Sequence, residues 1–456
     1  MRNTIFTKYG AQASWLARAA ACAAVTFVIA MPTAPATMAQ QGQEDRKTRK
    51  TPALREKVYE TLTEAQELGE AEQFGEAIRV LDKLSQKDDL NSYEKAQMYN
   101  FYAFIYFQQE RFQDAIRSYE NVRAQPDLPE AMETQAIYAL GQLYFTVENY
   151  PKAIELLETW FRSATNPGAG PYVFLSQAYY QQKQYRKAIG PLDKAMDIAR
   201  SKGQEVKENW LLLKRVYHYE LKEYQVVADV LNQLIARFPK REYWNQLSAV
   251  YGELGDNKRQ LAVLELANMQ GYLDRSQDLR NLAQLFMLNG DPLRGAQTLE
   301  KSMNDGIVET NLANLKLLAQ AWNAAREDEK ALPVLQRAAQ MSNDGKLDLR
   351  IAYSYINVDK HDEAAAAARE AIRKGGLRNT GEAYILMGTA LFNADKLNEA
   401  KDAFRNASGG SNGKRAAQWL THISKEEQRR AILAETKALG READAAARKA
   451  REAQGS

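Results

Sequence analysis

One position, usually filled by a small residue, returns every 33 to 39 residues along this chain: Ala77, Ala115, Ala153, Ala188, Val227, Gln260, Gly295, Ala331, Ala364 and Ala400. If it is called slot 20 of a unit that begins nineteen residues upstream, four more slots recur with it. Slots 4, 7, 8 and 11 read Tyr99, Tyr102, Ala103, Tyr106 in the second copy and Ile137, Leu140, Gly141, Tyr144 in the third. Later copies give Trp244, Leu247, Ser248, Tyr251, then Leu315, Leu318, Ala319, Trp322, then Tyr384, Met387, Gly388, Leu391. Steps of three and four set these side chains on one helical stripe. Slots 20, 24 and 27 form a second stripe, as in Ala115, Tyr119, Val122 and Ala400, Phe404, Ala407.

Two stripes in one period describe a helical hairpin. Small residues at slots 8 and 20 let its helices approach closely, and large ones at slots 4, 7, 11 and 24 fill the space between layers. A lone hairpin leaves its stripe in water, so the pattern demands stacked neighbours and contacts that are nearly all local. An ordinary helical bundle would not hold phase over ten copies. The turn signals between copies include Asn166-Pro-Gly168, Gly290-Asp-Pro292 and Gly375-Gly376, and no segment alternates apolar and polar residues over strand length.

Period and slots together resemble the tetratricopeptide repeat (TPR) family over roughly residues 58–411. That resemblance implies an all-α fold, a right-handed α-solenoid of about ten TPR helical hairpins over residues 54–411. A C-terminal capping helix and a charged, Ala-rich tail would follow over 412–456, with Ala416, Trp419, Leu420 and Ile423 as the stripe that closes the last copy. Departures from the family pattern fall at Gln260, Gly295 and the pair Lys214-Arg215.

The N-terminus is of another kind. Arg2, Lys8 and Arg18 precede an apolar run from Ala19 to Met31, and Ala34-Pro-Ala-Thr-Met-Ala39 offers small residues for a signal peptidase, so residues 1–39 read as a cleavable signal peptide. The run is short for a membrane span of about 20 residues. Residues 40–53 read as a disordered linker, polar and with nothing to bury. A periplasmic location is the expectation.

The chain carries 61 Lys and Arg against 58 Asp and Glu, and the presequence holds three basic residues and no acidic one. Removing it leaves 58 of each sign, a balance that offers no general field to nucleic acid or to an anionic membrane. Cys22, the one cysteine, lies in the presequence, so the processed chain would have no disulfide and no thiolate for a metal. His218, His361 and His422 fall in separate copies without ligand spacing. Gly409-Gly-Ser-Asn-Gly413 spells a nucleophile-elbow motif, but that motif needs a preceding strand, and here a helical repeat precedes it. No Walker-type phosphate loop is present. The sequence thus points to a non-enzyme with no catalytic residue, cofactor or metal.

In a TPR array, slots 2, 5, 9 and 12 of the first helix should line the concave groove. The candidates for partner binding there are Asn100, Phe104 and Phe107, then Tyr138, Gln142 and Phe145, then Gln177 and Tyr180, then Tyr219. Further on the groove turns cationic, at Arg280 and Lys316. Aromatics anchor a partner at small entropic cost, and amides can bond an extended backbone. The other reading is that some of these aromatics pack on neighbouring helices.

A narrower likeness lies in Thr51-Pro-Ala-Leu-Arg55, Met98-Tyr-Asn-Phe-Tyr-Ala-Phe-Ile-Tyr106, Glu208-Asn-Trp-Leu-Leu-Leu-Lys-Arg215, Asp278-Leu-Arg-Asn-Leu-Ala-Gln284, Asn314-Leu-Lys-Leu-Leu-Ala-Gln-Ala-Trp322 and Glu327-Asp-Glu-Lys-Ala-Leu-Pro333. These segments resemble periplasmic TPR proteins that accompany TonB, ExbB and ExbD energy-transduction systems in Gram-negative bacteria. The resemblance implies a scaffold with protein partners, accessory to TonB-dependent uptake across the outer membrane, and touching the membrane only indirectly. An envelope assembly factor or periplasmic chaperone with many clients is the alternative. A fixed partner favours discrete aromatic anchors, whereas client handling favours broad apolar exposure.

Overall fold

A computed structural model describes residues 53–454, so the signal peptide and all but the last residue of the linker lie outside the described residues. Those residues form 21 α-helices, one short 3-10 turn and no strand. They divide into two compact units, one ending at Pro239 and the other beginning at Lys240.

The first unit holds five hairpins. They are α1 (Glu56–Glu70) with α2 (Phe74–Ser85), α3 (Ser92–Gln108) with α4 (Phe112–Arg123), α5 (Glu130–Thr146) with α6 (Tyr150–Ser163), α7 (Ala169–Gln181) with α8 (Tyr185–Ser201), and α9 (Glu208–Glu220) with α10 (Tyr224–Arg237). The second unit holds five more. They are α11 (Arg241–Glu253) with α12 (Asn257–Met269), α13 (Ser276–Leu288) with α14 (Pro292–Asn304), α15 (Leu312–Ala324) with α16 (Asp328–Gln340), α17 (Lys346–Asn357) with α18 (His361–Lys374), and α19 (Thr380–Asn393) with α20 (Leu397–Asn406). A last helix, α21 (Gly413–Gln454), follows.

One backbone device closes all ten hairpins. Slot 15 is left-handed in every copy, at Glu72, Glu110, Glu148, Lys183, Lys222, Gly255, Gly290, Arg326, Asp359 and Asp395. It reverses the chain so that the slot 16 N–H donates to the slot 11 carbonyl, as from Asn149 to Tyr144 at 2.8 Å and from Glu327 to Trp322 at 3.0 Å. This is the six-to-one bond of a helix C-terminus, and it satisfies a carbonyl that the helix end would otherwise orphan. The copies with Gln260, Gly295 and Lys214-Arg215 have the same turn, so their register is the common one.

Packing follows the slots. Ala77, Ala115, Ala153, Ala188, Ala331, Ala364 and Ala400 are fully buried. Slot 8 lies against slot 20: the Ser176 hydroxyl donates to the Ala188 carbonyl at 2.7 Å, and a β-carbon on Gly295 would stand 2.7 Å from the Ala283 carbonyl oxygen. Gln260 fits its slot because Gly252, one turn past slot 8, leaves room; a β-carbon there would meet its amide at 3.0 Å. Each unit has its own buried clusters, around Leu81, Ile105, Tyr119 and Leu140 in the first and around Leu282, Trp322, Leu335 and Phe404 in the second.

Both ends are fastened by side chains. Asn91 and Glu94 form a reciprocal capping box at the start of α3, and the Arg55 guanidinium, just ahead of α1, grips the buried Glu94 carboxylate with Nε and Nη2 at 2.8 and 2.7 Å. At the other end Trp419 stacks on Phe404 at 5.2 Å, with Ala416 and Ile423 buried beside it. Lys401 pairs with Glu427 at 2.7 Å and Arg430 with Asp395 at 2.5 Å, so the cap runs to Arg430, past the stripe that ends at Ile423. The tail expected beyond it continues as the same helix, 42 residues in all, or about 63 Å at 1.5 Å per residue.

Candidate partner-binding face

The first helices of the first unit place most of the expected groove residues half in solvent. Asn100, Phe104, Phe107, Tyr138, Gln142, Tyr180 and Tyr219 are each half-buried. Phe145 and Gln177 are not part of an open face: they are buried, at 5 and 6% exposure. For Phe145 the reason is a second aromatic that the slots also repeat. Slot 12 packs on slot 17 across the hairpin turn in four consecutive copies, Phe107 on Phe112 at 5.8 Å, Phe145 on Tyr150 at 5.2 Å, Tyr180 on Tyr185 at 5.9 Å and Tyr219 on Tyr224 at 5.8 Å. Phe145 also meets Phe174 from the next copy at 4.8 Å, which closes it off.

These pairs change what the slot 12 aromatics are for. Each clamps its own turn, with ring separations in the range where aromatic pairs attract. Tyr138, at slot 5, lies 4.8 Å from the Trp160 ring, and Tyr180 also touches Tyr217 at 5.5 Å. Burial raises the pKa of the Tyr138 phenol; burial first and then the Glu220 charge raise that of Tyr180. Both phenols therefore stay neutral at physiological pH. Phe104 borders Gly69, whose missing β-carbon would come 3.5 Å from its ring. Of the residues expected in the groove, Asn100, Phe104, Tyr138 and Gln142 are half-buried and lie outside these clamps. The signal for the clamps was present in the sequence, since slots 12 and 17 are both aromatic in each of those copies.

The second unit carries a different surface on the same slots. Lys316 is exposed and Arg280 half-buried, with the Arg280 Nε and the neighbouring Asn245 Oδ1 buried and without partners. The histidines remain apart. His218 sits in slot 11, where most other copies have Tyr, Phe or Trp, and is buried with Nδ1 2.6 Å from Glu223. Among the described residues no group of three or more His, Cys, Asp or Glu could hold a metal, and no helix is long and apolar enough to cross a membrane.

Comparison with known proteins places the repeat on a family model. Residues 62–129 match the tetratricopeptide repeat. A comparison with curated proteins finds no match. Among solved structures, a tetratricopeptide repeat protein from Parabacteroides merdae ATCC 43184 is similar at 16% identity, with 58% of this chain and 98% of that chain covered and a TM-score of 0.34. YrrB, described as a TPR protein with an unusual peptide-binding site, is similar at 12% identity over 41% of this chain and 89% of its own, with a TM-score of 0.32. MamA is similar at 19% identity over 38% of this chain and 97% of its own, with a TM-score of 0.31.

Proposed function

We propose that this tetratricopeptide-repeat chain is a non-enzymatic periplasmic scaffold that binds an extended segment of a protein partner along its first helices, as an accessory to TonB-dependent energy transduction. The observation that carries the binding reading is the face of Asn100, Phe104, Tyr138 and Gln142, where large side chains stay half-exposed although neighbouring slots are filled. Half-exposed aromatics set among amides can anchor side chains and bond a backbone at once. Export is supported by the basic, apolar and small-residue order of the first 39 residues, and the TonB connection by the segment likenesses between Thr51 and Pro333.

A photo-crosslinking residue at Gln142, followed by mass spectrometry of the captured species, tests the proposal in cells. One dominant energy-transduction component supports it. A broad mixture of outer-membrane precursors would instead mark a chaperone. Signal-peptide cleavage near Ala39 and release by osmotic shock test the location.

A further inference from the structure

Arg430 pairs with Asp395, and beyond it α21 runs on for 24 residues to Gln454, about 36 Å at 1.5 Å per residue. Every residue from 431 to 447 is exposed. Among them are Ile432, Leu433 and Leu439, with 63, 46 and 60% of their surfaces in solvent. Their spacing is regular. Ile432, Thr436, Leu439, Ala443 and Ala446 step by four and three, the seam of a coiled coil, and Leu433, Gly440 and Ala447 border it at intervals of seven. This seam is separate from the capping stripe, which ends at the buried Ile423.

The seam is sorted by size. Its bulky members, Ile432, Leu433 and Leu439, all precede Gly440, and Ala443, Ala446 and Ala447 follow it. Two such helices side by side and parallel would be wedged apart at one end and leave a gap at the other. Reversed, they fit: with Gly440 opposite Gly440, Leu439 of each copy meets Ala443, Thr436 meets Ala446 and Leu433 meets Ala447. Gly440 supports the same arrangement. A β-carbon there would touch nothing in its own chain, and glycine is unfavourable inside a helix, so a neighbour at close range is what gives it a use.

Area and charge permit a second copy as that neighbour. A cylinder about 36 Å long and about 11 Å across has ~1,250 Å² of side wall, and a seam with its flanks covers roughly two-fifths of it, which gives ~1,000 Å² for the two copies together. That reaches the lower bound for a specific interface, so the pair is expected in the micromolar range. With residues 1–39 removed the charges balance at 58 of each sign, so two copies have no net repulsion to overcome.

We infer that residues 431–454 pair as an antiparallel coiled coil with the same residues of a second copy, which makes the protein a dimer through its last helix. The pairing uses none of the first-helix face, so the scaffold reading is tested separately, by capture at Gln142.

Sedimentation equilibrium of the intact processed chain should show monomer and dimer exchanging in the micromolar range. Ile432→Glu/Leu439→Glu should weaken the dimer at least tenfold and leave the urea midpoint of the monomer unchanged, since both side chains are exposed. Single cysteines read the direction, because the one native cysteine, Cys22, lies in the presequence. Gly440→Cys should be joined to its mate by a short bismaleimide crosslinker, whereas Thr436→Cys should not, its mate standing about ten residues, or ~15 Å, further along the axis. A chain that stays monomeric throughout the micromolar range, a dimer that survives in the double-Glu variant, or crosslinking at Thr436 in preference to Gly440 would each overturn the inference.

Discussion

A β-carbon on Gly388 would lie 2.8 Å from the ring of Phe404. The ring has nowhere to go, since Phe404 is fully buried and stacked on Trp419 at an interplanar angle of 7°. Gly388→Ala is therefore expected to cost about 1–3 kcal/mol of overpacking, against about 1 kcal/mol gained in helix propensity. Gly141→Ala, in the same slot, meets only Leu157 side-chain atoms at 3.2–3.3 Å and should come out near neutral. Amide hydrogen exchange in α19 and α20 compared with α5 and α6 reads the two effects locally. Equal losses in both variants would show that slot 8 does not set the helix separation.

The left-handed slot 15 predicts opposite outcomes for opposite substitutions. Gly290, at φ 86°, should lose about 1 kcal/mol when changed to Ala, and Lys222, at φ 58°, should gain up to about 1 kcal/mol when changed to Gly. Urea titration of each variant, with attention to the slope as well as the midpoint, checks the signs.

The Arg55 clasp on Glu94 predicts a pH dependence. Hydrogen bonds from the Arg55 guanidinium hold the Glu94 carboxyl below the usual carboxylate range, outweighing the effect of burial. A lowered carboxyl pKa stabilises the fold fully above the unfolded value of about 4.3 and loses that contribution as pH falls through the folded value. Glu94→Gln should thus melt earlier than the parent chain at pH 7, and the two should converge as the pH falls through the lowered folded-state value. A melting difference that persists undiminished into acid would refute the ionic origin.

Two residues that the sequence placed in one groove should separate by stability. Phe145→Ala removes a buried ring between Tyr150 and Phe174 and should cost about 3–5 kcal/mol. Lys316→Ala, on an exposed side chain, should stay within about 0.5 kcal/mol of the parent. Thermal melts of both variants make the comparison.

Alanine at Phe104, Tyr138 and Tyr180 together should abolish capture at Gln142. Because Tyr138 and Tyr180 also touch Trp160 and Tyr217, a Tyr138→Phe/Tyr180→Phe control keeps the packing and isolates the hydroxyls. Undiminished capture by a folded triple variant would remove the aromatic face from the binding model.

The period, the ten copies and the close approach at slots 8 and 20 were legible in the sequence, because small residues at fixed spacing have one mechanical use in paired helices. The fate of the slot 12 aromatics was not. Phe107 and Phe145 occupy the same slot and make the same clamp, and only the position of a third ring, Phe174, closes one of them. The turn at slot 15 was legible only in part: Gly290-Asp-Pro292 closes a hairpin and does not stand between copies, and the Glu, Lys, Arg and Asp of the other copies give no hint of a left-handed backbone that the six-to-one bond imposes.

The bond that closes each hairpin joins two residues of the same hairpin, five positions apart. Excising one whole period, such as residues 241–275, would therefore break no turn in what is left. Recombination between copies can lengthen or shorten such a chain in whole units, provided the crossover falls at matching slots. An error of one residue inside a hairpin would put slot 8 out of step with slot 20, whereas the segments between copies already differ in length, with periods of 33 to 39 residues. The common turn thus acts as a reading frame, which keeps the register of the array whatever residues stand exposed between its fixed positions.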